Sequence, residues 1–395
     1  MPTKICVYAI CKDEDKYVDQ WFQNVAPADY IAVLDTGSQP KFYAYLQEVA
    51  EKINAQAGYQ KCIIQQKIIT PWRFDVARNE SMRLIPEDAD LCLCTDFDEL
   101  LVSGWADVIR SRWNGESRVM YQYAWTHTEN GMPAKIFTYD KCHANDHKHF
   151  WKYPVHECIS IGSIEDDLDE IHRGLYINDI VPFLEHYPDP AKNRQAGYGE
   201  LLKVRMREFP NEVFSYTYIL SQKFWEGKYQ EVVDFSLNEA IPAIWSRKYK
   251  DQASMPDVLL YTGDAYRALG QFDKAQEYHR MAIAVLPNAR DGYLGLAWDL
   301  IYSGDCQGAI EQVMTGLRVG VKMSLWCERE FSWTYMPYVI LSVAYHLLGA
   351  HRTGEDYKLC SKAFGAPENM IENILKDFVV HEGPGPVTTQ EGEQK

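Results

Sequence analysis

Leu91-Cys92-Leu93-Cys94-Thr95-Asp96-Phe97-Asp98-Glu99 is the stretch on which the reading of this chain turns. Four apolar residues bounded by Asp90 and Asp96 have the length of a strand buried on both faces, and such strands belong to parallel sheets covered by helices. Asp96 and Asp98 follow the run at i and i+2, so both can reach one hard cation. Mg²⁺ typically takes one or two protein carboxylates and completes its shell with water and phosphate oxygens, so an Asp-x-Asp at a strand end suggests a metal held for a diphosphate. Alone, an acidic cluster reads equally as a solvated turn.

Upstream, short apolar runs alternate with helical patterns: Ile5 to Ile10, Tyr17 to Val25, Tyr30 to Leu34, Phe42 to Ile53, Ile63 to Ile64 and Val76 to Ile85. Strand and helix in alternation predict an α/β domain with a mostly parallel sheet. In such sheets ligands bind outside the carboxyl ends of the strands, where Lys12-Asp13-Glu14, Asp35-Thr36-Gly37-Ser38 and Asp96-Phe97-Asp98 all fall. The aromatic segment from Val119 to Ile161 reads as further strands with long loops. Most of its Tyr and Trp are expected in the core, with some able to stack on a sugar or a base.

After about residue 210 the pattern turns wholly helical. Gly263, Tyr266, Gly270, Ala275, Ala282 and Pro287 fall at tetratricopeptide spacings, and Gly270 and Ala275 recur 34 residues on as Gly304 and Ala309. Looser copies near Gly227 and Gly349 predict about four stacked helical hairpins. The expected organisation is therefore an α/β domain over 1–205, a tetratricopeptide-like helical repeat domain over 206–381, and a disordered tail over 382–395.

Composition narrows the function. A net charge of −16 argues against coating nucleic acid or anionic lipid. Ten cysteines without Cys-x-x-Cys pairs, several of them in core strands, fit a reducing cytoplasm. No apolar run approaches a membrane span, and no basic-then-apolar leader is visible.

The acidic cluster, together with Lys12-Asp13-Glu14, Asp35-Thr36-Gly37-Ser38 and Phe74-Asp75-Val76-Ala77-Arg78-Asn79, occurs in an order that resembles family 2 glycosyltransferases of the GT-A fold over roughly residues 1–200. With the added repeats, the chain is similar to bacterial bacteriocin-peptide S-glycosyltransferases. The resemblance implies a metal-dependent, inverting transferase that moves a sugar from a nucleotide-sugar, a UDP-hexose by expectation, with Mn²⁺ or Mg²⁺ as cofactor. Backbone around Ala9 to Cys11, together with Glu14 and Asp35, would hold the nucleotide. Arg78 would lie near the diphosphate, Asp96 toward the ribose or sugar, and Asp98 on the metal.

Two later clusters complete the implied site. Trp151-Lys152-Tyr153-Pro154-Val155-His156-Glu157 resembles the family's Val-His-Glu segment, in which His156 or Glu157 would supply the base that inversion requires. His186 would close over the metal, with Lys192 and Arg194 near the diphosphate. This chain has Tyr187-Pro188-Asp189-Pro190 where a Gly is commoner, which alters the loop.

Plainer roles exist for several of these residues. Asp35 can be a turn residue before Gly37, Arg78 can pair with Asp75 or Glu80, and Glu99 can cap the following helix. His143, His147 and His149 lack zinc-finger partners and read as a solvated loop. The expected acceptor is a peptide or protein held by the repeats, which can also serve to dimerise. A glycan, a lipid-linked sugar or a modified nucleic-acid base is the alternative acceptor, and a nucleotide-binding scaffold without turnover is the alternative class.

Overall fold

A computed structural model describes residues 2–127, 131, 133–161, 174–189, 197–210, 212–246, 254–320, 322 and 329–379. The chain divides into two compact units, Met1–Phe209 and Pro210–Lys395. The expected boundary at 205 falls inside a helix, Tyr198–Glu208. That helix belongs to the first unit because Arg205, 3% exposed, donates from Nη1 to the carbonyls of Val155 and His156 at 2.9 and 3.0 Å. The tail expected over 382–395 lies outside the described residues.

The first unit runs β1 (Ile5–Cys11), α1 (Val18–Val25), β2 (Tyr30–Asp35), α2 (Pro40–Ala57), β3 (Cys62–Gln66), α3 (Phe74–Met82), β4 (Leu91–Cys94), β5 (Glu99–Leu101), α4 (Trp105–Arg112), β6 (Arg118–His127), β7 (Pro133–Ala144), β8 (His149–Lys152), β9 (Cys158–Ile161), β10 (Leu175–Ile177), β11 (Leu184–His186) and α5 (Tyr198–Glu208). Among the described residues the main sheet is nine-stranded, in the order β3-β2-β1-β4-β7-β6-β11-β5, with β10 also on β6. Strands β3, β2, β1 and β4 are parallel, and β7 enters antiparallel to both β4 and β6. The reading of a mostly parallel sheet thus holds for one half, and the other half is mixed.

Burial follows the sequence pattern. Every residue of β4 is buried, as four apolar residues between acids require. On α1, Val18, Trp21, Phe22 and Val25 form the buried stripe of a 3.6-residue period. Trp21 matters beyond its helix. Its ring stacks on Phe97 at 4.4 Å and 7° between planes, and its Nε1–H donates to Thr95 Oγ1 at 3.0 Å. Phe97 is 3% exposed. The aromatic between the two acids is therefore an anchor that fixes Asp96 and Asp98 just past β4.

The second unit is helical: α6 (Phe214–Trp225), α7 (Tyr229–Phe235), a π-helical turn Ser236–Ala240 running into α8 (Ile241–Trp245), then α9 (Ser254–Ala268), α10 (Phe272–Val285), α11 (Arg290–Tyr302), α12 (Cys306–Leu317), α13 (Glu330–Trp333), α14 (Met336–Leu347), α15 (His351–Ala363) and α16 (Met370–Val379). Four helical hairpins appear among the described residues, α6/α7, α9/α10, α11/α12 and α14/α15. Each turns at a glycine with positive φ, Gly227 at 73°, Gly270 at 73°, Gly304 at 85° and Gly349 at 76°. This left-handed conformation is cheap only for glycine, which explains the recurrence read in the sequence. The unit is a helical repeat. No described helix is long and apolar enough to cross a membrane, and the described cysteines are free thiols.

Candidate functional site at the strand ends

The polar clusters after β1, β2 and β4 lie at carboxyl ends of neighbouring parallel strands, as sheet topology requires. The first two are bound to each other. Asp13 N donates to Ser38 Oγ at 2.8 Å, and Gln39 N donates to Asp13 Oδ1 at 2.8 Å. Asp35 is fully buried, and its Oδ1 accepts from Gly37 N, Ser38 N and Gln66 Nε2 at 3.0, 2.9 and 2.8 Å. Its Oδ2 lies 3.7 Å from the Cys11 thiol. The turn-closing role open to Asp35 is the one these contacts display. With both oxygens engaged inside the protein, Asp35 closes the turn that carries Gly37. Ala9 and Cys11 are buried in β1, and Glu14 opens α1 by accepting from Tyr17 N and Val18 N through its carbonyl.

Beside them lies a compact ionic cluster. Arg78, on the buried face of α3, donates from Nε to Glu157 Oε1 at 2.6 Å and pairs from Nη2 with Asp96 Oδ1 at 3.0 Å. Neither Asp75 nor Glu80 takes it: Asp75 pairs with Arg73, and Glu80 with Lys67 and Arg83. Lys141 of β7 donates to Asp96 Oδ2 at 3.1 Å and to Glu99 Oε1 at 2.8 Å. Glu99 also accepts from Tyr123 Oη–H at 2.7 Å and from Asp96 N at 2.8 Å. The view of Glu99 as a helix cap is therefore corrected. Glu99 begins strand β5, and its carboxylate braces the Asp96 backbone.

Electrostatics follow from these contacts. Burial alone would raise the Asp96 carboxyl, but Arg78 and then Lys141 outweigh it and hold it well below its ordinary value. Burial raises Glu99 in spite of Lys141. Lys141 and Arg78 stay charged, because their acids overcome the desolvation that would lower them. Sequence reasoning missed Lys141. The available signal was a lone lysine in the run Thr138-Tyr139-Asp140-Lys141-Cys142 of a buried strand, which needs an acid partner somewhere.

Asp98 and His186 come together from 88 positions apart. Strand β11 pairs antiparallel with β5 in a register that sets His186 opposite Glu99, and Tyr187 N donates to the Asp98 carbonyl at 2.7 Å. His186 Nε2 then lies 3.2 Å from Asp98 Oδ2, and its Nδ1 lies 3.1 Å from the Trp125 carbonyl. With Nδ1–H given to that carbonyl, the protonated ring donates Nε2–H to the acid, and loss of that proton leaves Nε2 bare, the tautomer that metal-binding histidines use. Burial pulls His186 down, but its bond and attraction to Asp98 win, so it is raised from 6.5. Trp125, 41% exposed, stacks on the His186 ring at 4.8 Å.

Asp98 and His186 fit as two protein ligands to a divalent cation. Asp96 does not fit in this arrangement, since both its oxygens are held by cations. No group of three or more His, Cys, Asp or Glu is disposed around a metal position among the described residues.

Glu157 and His156 sit in the connection between β8 and β9. Phe74 N donates to the Pro154 carbonyl at 3.0 Å, Arg205 lies 3.8 Å over the Tyr153 ring, and Arg205 holds two carbonyls of the loop. His156 is exposed at φ 50° beside Tyr198, while the Glu157 side chain is 11% exposed against Arg78. Lys192 and Arg194 lie outside the described residues. The expected solvated loop around His143 and His149 is also corrected. Both rings are buried, His143 on β7 bonded to Tyr8 Oη at 3.0 Å and His149 on β8 bonded to Asp146 at 2.8 Å.

No protein-family model matches the chain, and no curated protein is similar to it. Among solved structures it is similar to MamA, at 16% identity over 48% of this chain and 99% of that one, with a TM-score of 0.31. It is also similar to TTC0263, a thermophilic TPR protein of Thermus thermophilus, at 12% identity over 48% and 92%, with a TM-score of 0.36. Against a chain of the APC/C Cut9–Hcn1 hetero-tetramer the identity is 16% and the TM-score 0.32, with 46% of this chain covered; only 31% of that chain's length is spanned.

Proposed function

We propose that the first unit is a GT-A type, family 2-like glycosyltransferase that moves a hexose from a UDP-sugar to a peptide or protein acceptor with inversion. The observation that carries this reading is the meeting of Asp98 with His186 at 3.2 Å beside the Arg78–Asp96–Glu157 cluster, at the carboxyl ends of parallel strands. Residues from four separate motifs converge there.

Asp98 and His186 would hold Mn²⁺ or Mg²⁺, which when bound supplies positive charge to the departing nucleoside diphosphate. Arg78 would donate to phosphate oxygens if it shares its guanidinium between the acids and the donor. Glu157 would accept the acceptor's proton, with Arg205 and Phe74 N holding its loop in place. Asp96, with its backbone braced by Glu99 and its carboxylate by Lys141, would receive a sugar or ribose hydroxyl.

Internal neutralisation of Asp96 and the closed turn at Asp35 favour a second reading, a nucleotide-binding scaffold without turnover. One screen separates them. Nucleotide release is followed from UDP-, GDP- and dTDP-sugars with Mn²⁺ or Mg²⁺, then with EDTA, in the parent and in Asp98→Asn. Metal-dependent hydrolysis of one donor, lost in Asp98→Asn with the fold kept, supports the enzyme. Full activity in Asp98→Asn would remove the metal assignment. Binding of the nucleoside diphosphate with no release from any donor, acceptor peptide included, would support the scaffold.

A further inference from the structure

The helical repeat has a cavity of about 140 Å³ between α11 and the segment around α13. Trp298 and Phe331 line it with apolar surface, and Asp264, Asp291, Arg267 and Arg329 line it with charge. The arginines are already matched. Asp264 takes Arg267 and, at 2.8 Å, Arg329, and Arg267 gives Nη1 to Asp299 at 2.9 Å.

Asp291 is different. It is 4% exposed, and its Oδ1 accepts from Ser332 Oγ at 2.8 Å and from Arg329 N at 3.2 Å. These bonds tie residues 329–332 to the first turn of α11, so Oδ1 alone serves the structural role. Asp291 Oδ2 is buried with no hydrogen-bond partner among the described residues. A buried carboxylate oxygen without a donor is unfavourable and calls for one.

We propose that this cavity binds a basic head group, an alkylguanidinium or alkylammonium, whose N–H donors Asp291 Oδ2 receives. An anion would meet an unmatched carboxylate oxygen and two guanidinium groups already engaged, whereas a cation meets the cavity's acceptor that lacks a donor among the described residues. One water takes about 30 Å³, so the space suits a head group of several non-hydrogen atoms, with Trp298 and Phe331 beside its alkyl stem. The site stands independently of the transferase reading, because it lies wholly within the second unit.

The source of the head group is a basic side chain of a polypeptide or a free small amine. Calorimetry on the full chain tests this with agmatine, N-acetyl-arginine amide, N-acetyl-lysine amide and an arginine-containing peptide, and with the uncharged N-acetyl-citrulline amide as control. One-to-one binding of a cation, absent for citrulline and weakened about tenfold or more by Asp291→Asn, is the expected result. Tighter binding of the peptide than of the amides would identify a polypeptide source, and equal binding a small amine. No cation bound at millimolar concentration, or equal affinity in Asp291→Asn, would overturn the proposal. Should that variant not fold, hydrogen exchange of the parent decides. Protection by the cation within residues 290–302 and 329–336 sustains the site, and protection only elsewhere removes it.

Discussion

Two buried histidines, one in each unit, make opposite choices of charge. His143 is 1% exposed and His279 is 0% exposed, so desolvation pushes both toward the neutral form. At His143 burial wins, because the Ala144 carbonyl and the Asp146 charge, which favour the proton, are too weak to offset it. Trp151 Nε1–H donates to Tyr8 Oη at 2.9 Å, Tyr8 Oη–H can then donate only onward to Nε2, and Nδ1 lies 3.0 Å from the Ala144 carbonyl, so the chain of donors is consistent with a neutral ring. Burial, and then the neighbouring His149, push His143 down to about 3. At His279 two acids reverse the outcome. Asp299 Oδ2 lies 2.5 Å from Nδ1 and Asp264 Oδ1 lies 3.4 Å from Nε2, and together they raise the group above 6.5 against its burial. Equal burial therefore does not dictate charge; the partners do.

If that comparison is right, the largest loss should come from removing an acid at His279. Asp264→Ala leaves Arg267, Arg329 and His279 short of an anion and should cost about 3–5 kcal/mol in chemical denaturation. A loss below about 1 kcal/mol would mean that the acids do not govern this site.

Steric support comes next. A Cβ at Gly295 would lie 2.5 Å from His279 Cδ2, and one at Gly263 would lie 2.7 Å from Cε1, so the ring has no room to retreat. Gly295→Ala should cost about 3 kcal/mol, whereas Gly304→Ala meets no crowding and loses only the positive-φ preference, about 1 kcal/mol. Equal effects in thermal melts would refute the packing account.

In the first unit, Tyr8→Phe strands Trp151 Nε1–H and His143 Nε2 together. It should cost about 2 kcal/mol and raise the His143 pKa, read by NMR titration, because the neutral ring loses the donor it accepts from.

Per pH unit the effect of titration is smaller than these losses, and its slopes have opposite sign at the two histidines. His143 takes up a proton on unfolding between about 3 and 6.5, so its contribution is whole above 6.5 and is lost as pH falls through that window. His279 binds its proton more tightly when folded, so its contribution is whole below 6.5 and is lost as pH rises through its raised value. Each slope is at most about 1.4 kcal/mol per pH unit. Site-resolved titration showing both rings charged, or both neutral, at pH near 6 would end the comparison.

Much of this was legible in residue order. The β4 run, the α1 stripe and the glycines of the four hairpin turns are local signals, governed by strand burial, helical period and positive φ. The candidate site was legible in part. Asp98 and His186 were assigned to one place by motif, and the antiparallel register of β11 on β5 puts them there. Glu99 was misjudged, and Asp35 was left between binding and turn closure, because short acids in turns serve binding and structure with the same local sequence. Lys141 went unnoticed because its partners, Asp96 and Glu99, lie more than forty positions away.

The sequence by itself determined an α/β unit followed by helical hairpins, and which strand ends carry acids, because both follow from periodicities of 2 and 3.6 and from glycine's backbone freedom. Tertiary structure alone decided which carboxylates are paired inside the protein and with which cation. Arg78, Lys141 and His186 reach their acids only after distant strands pair, and His143 and His279, alike as buried histidines, take different protonation states only because of the neighbours that folding brings to each.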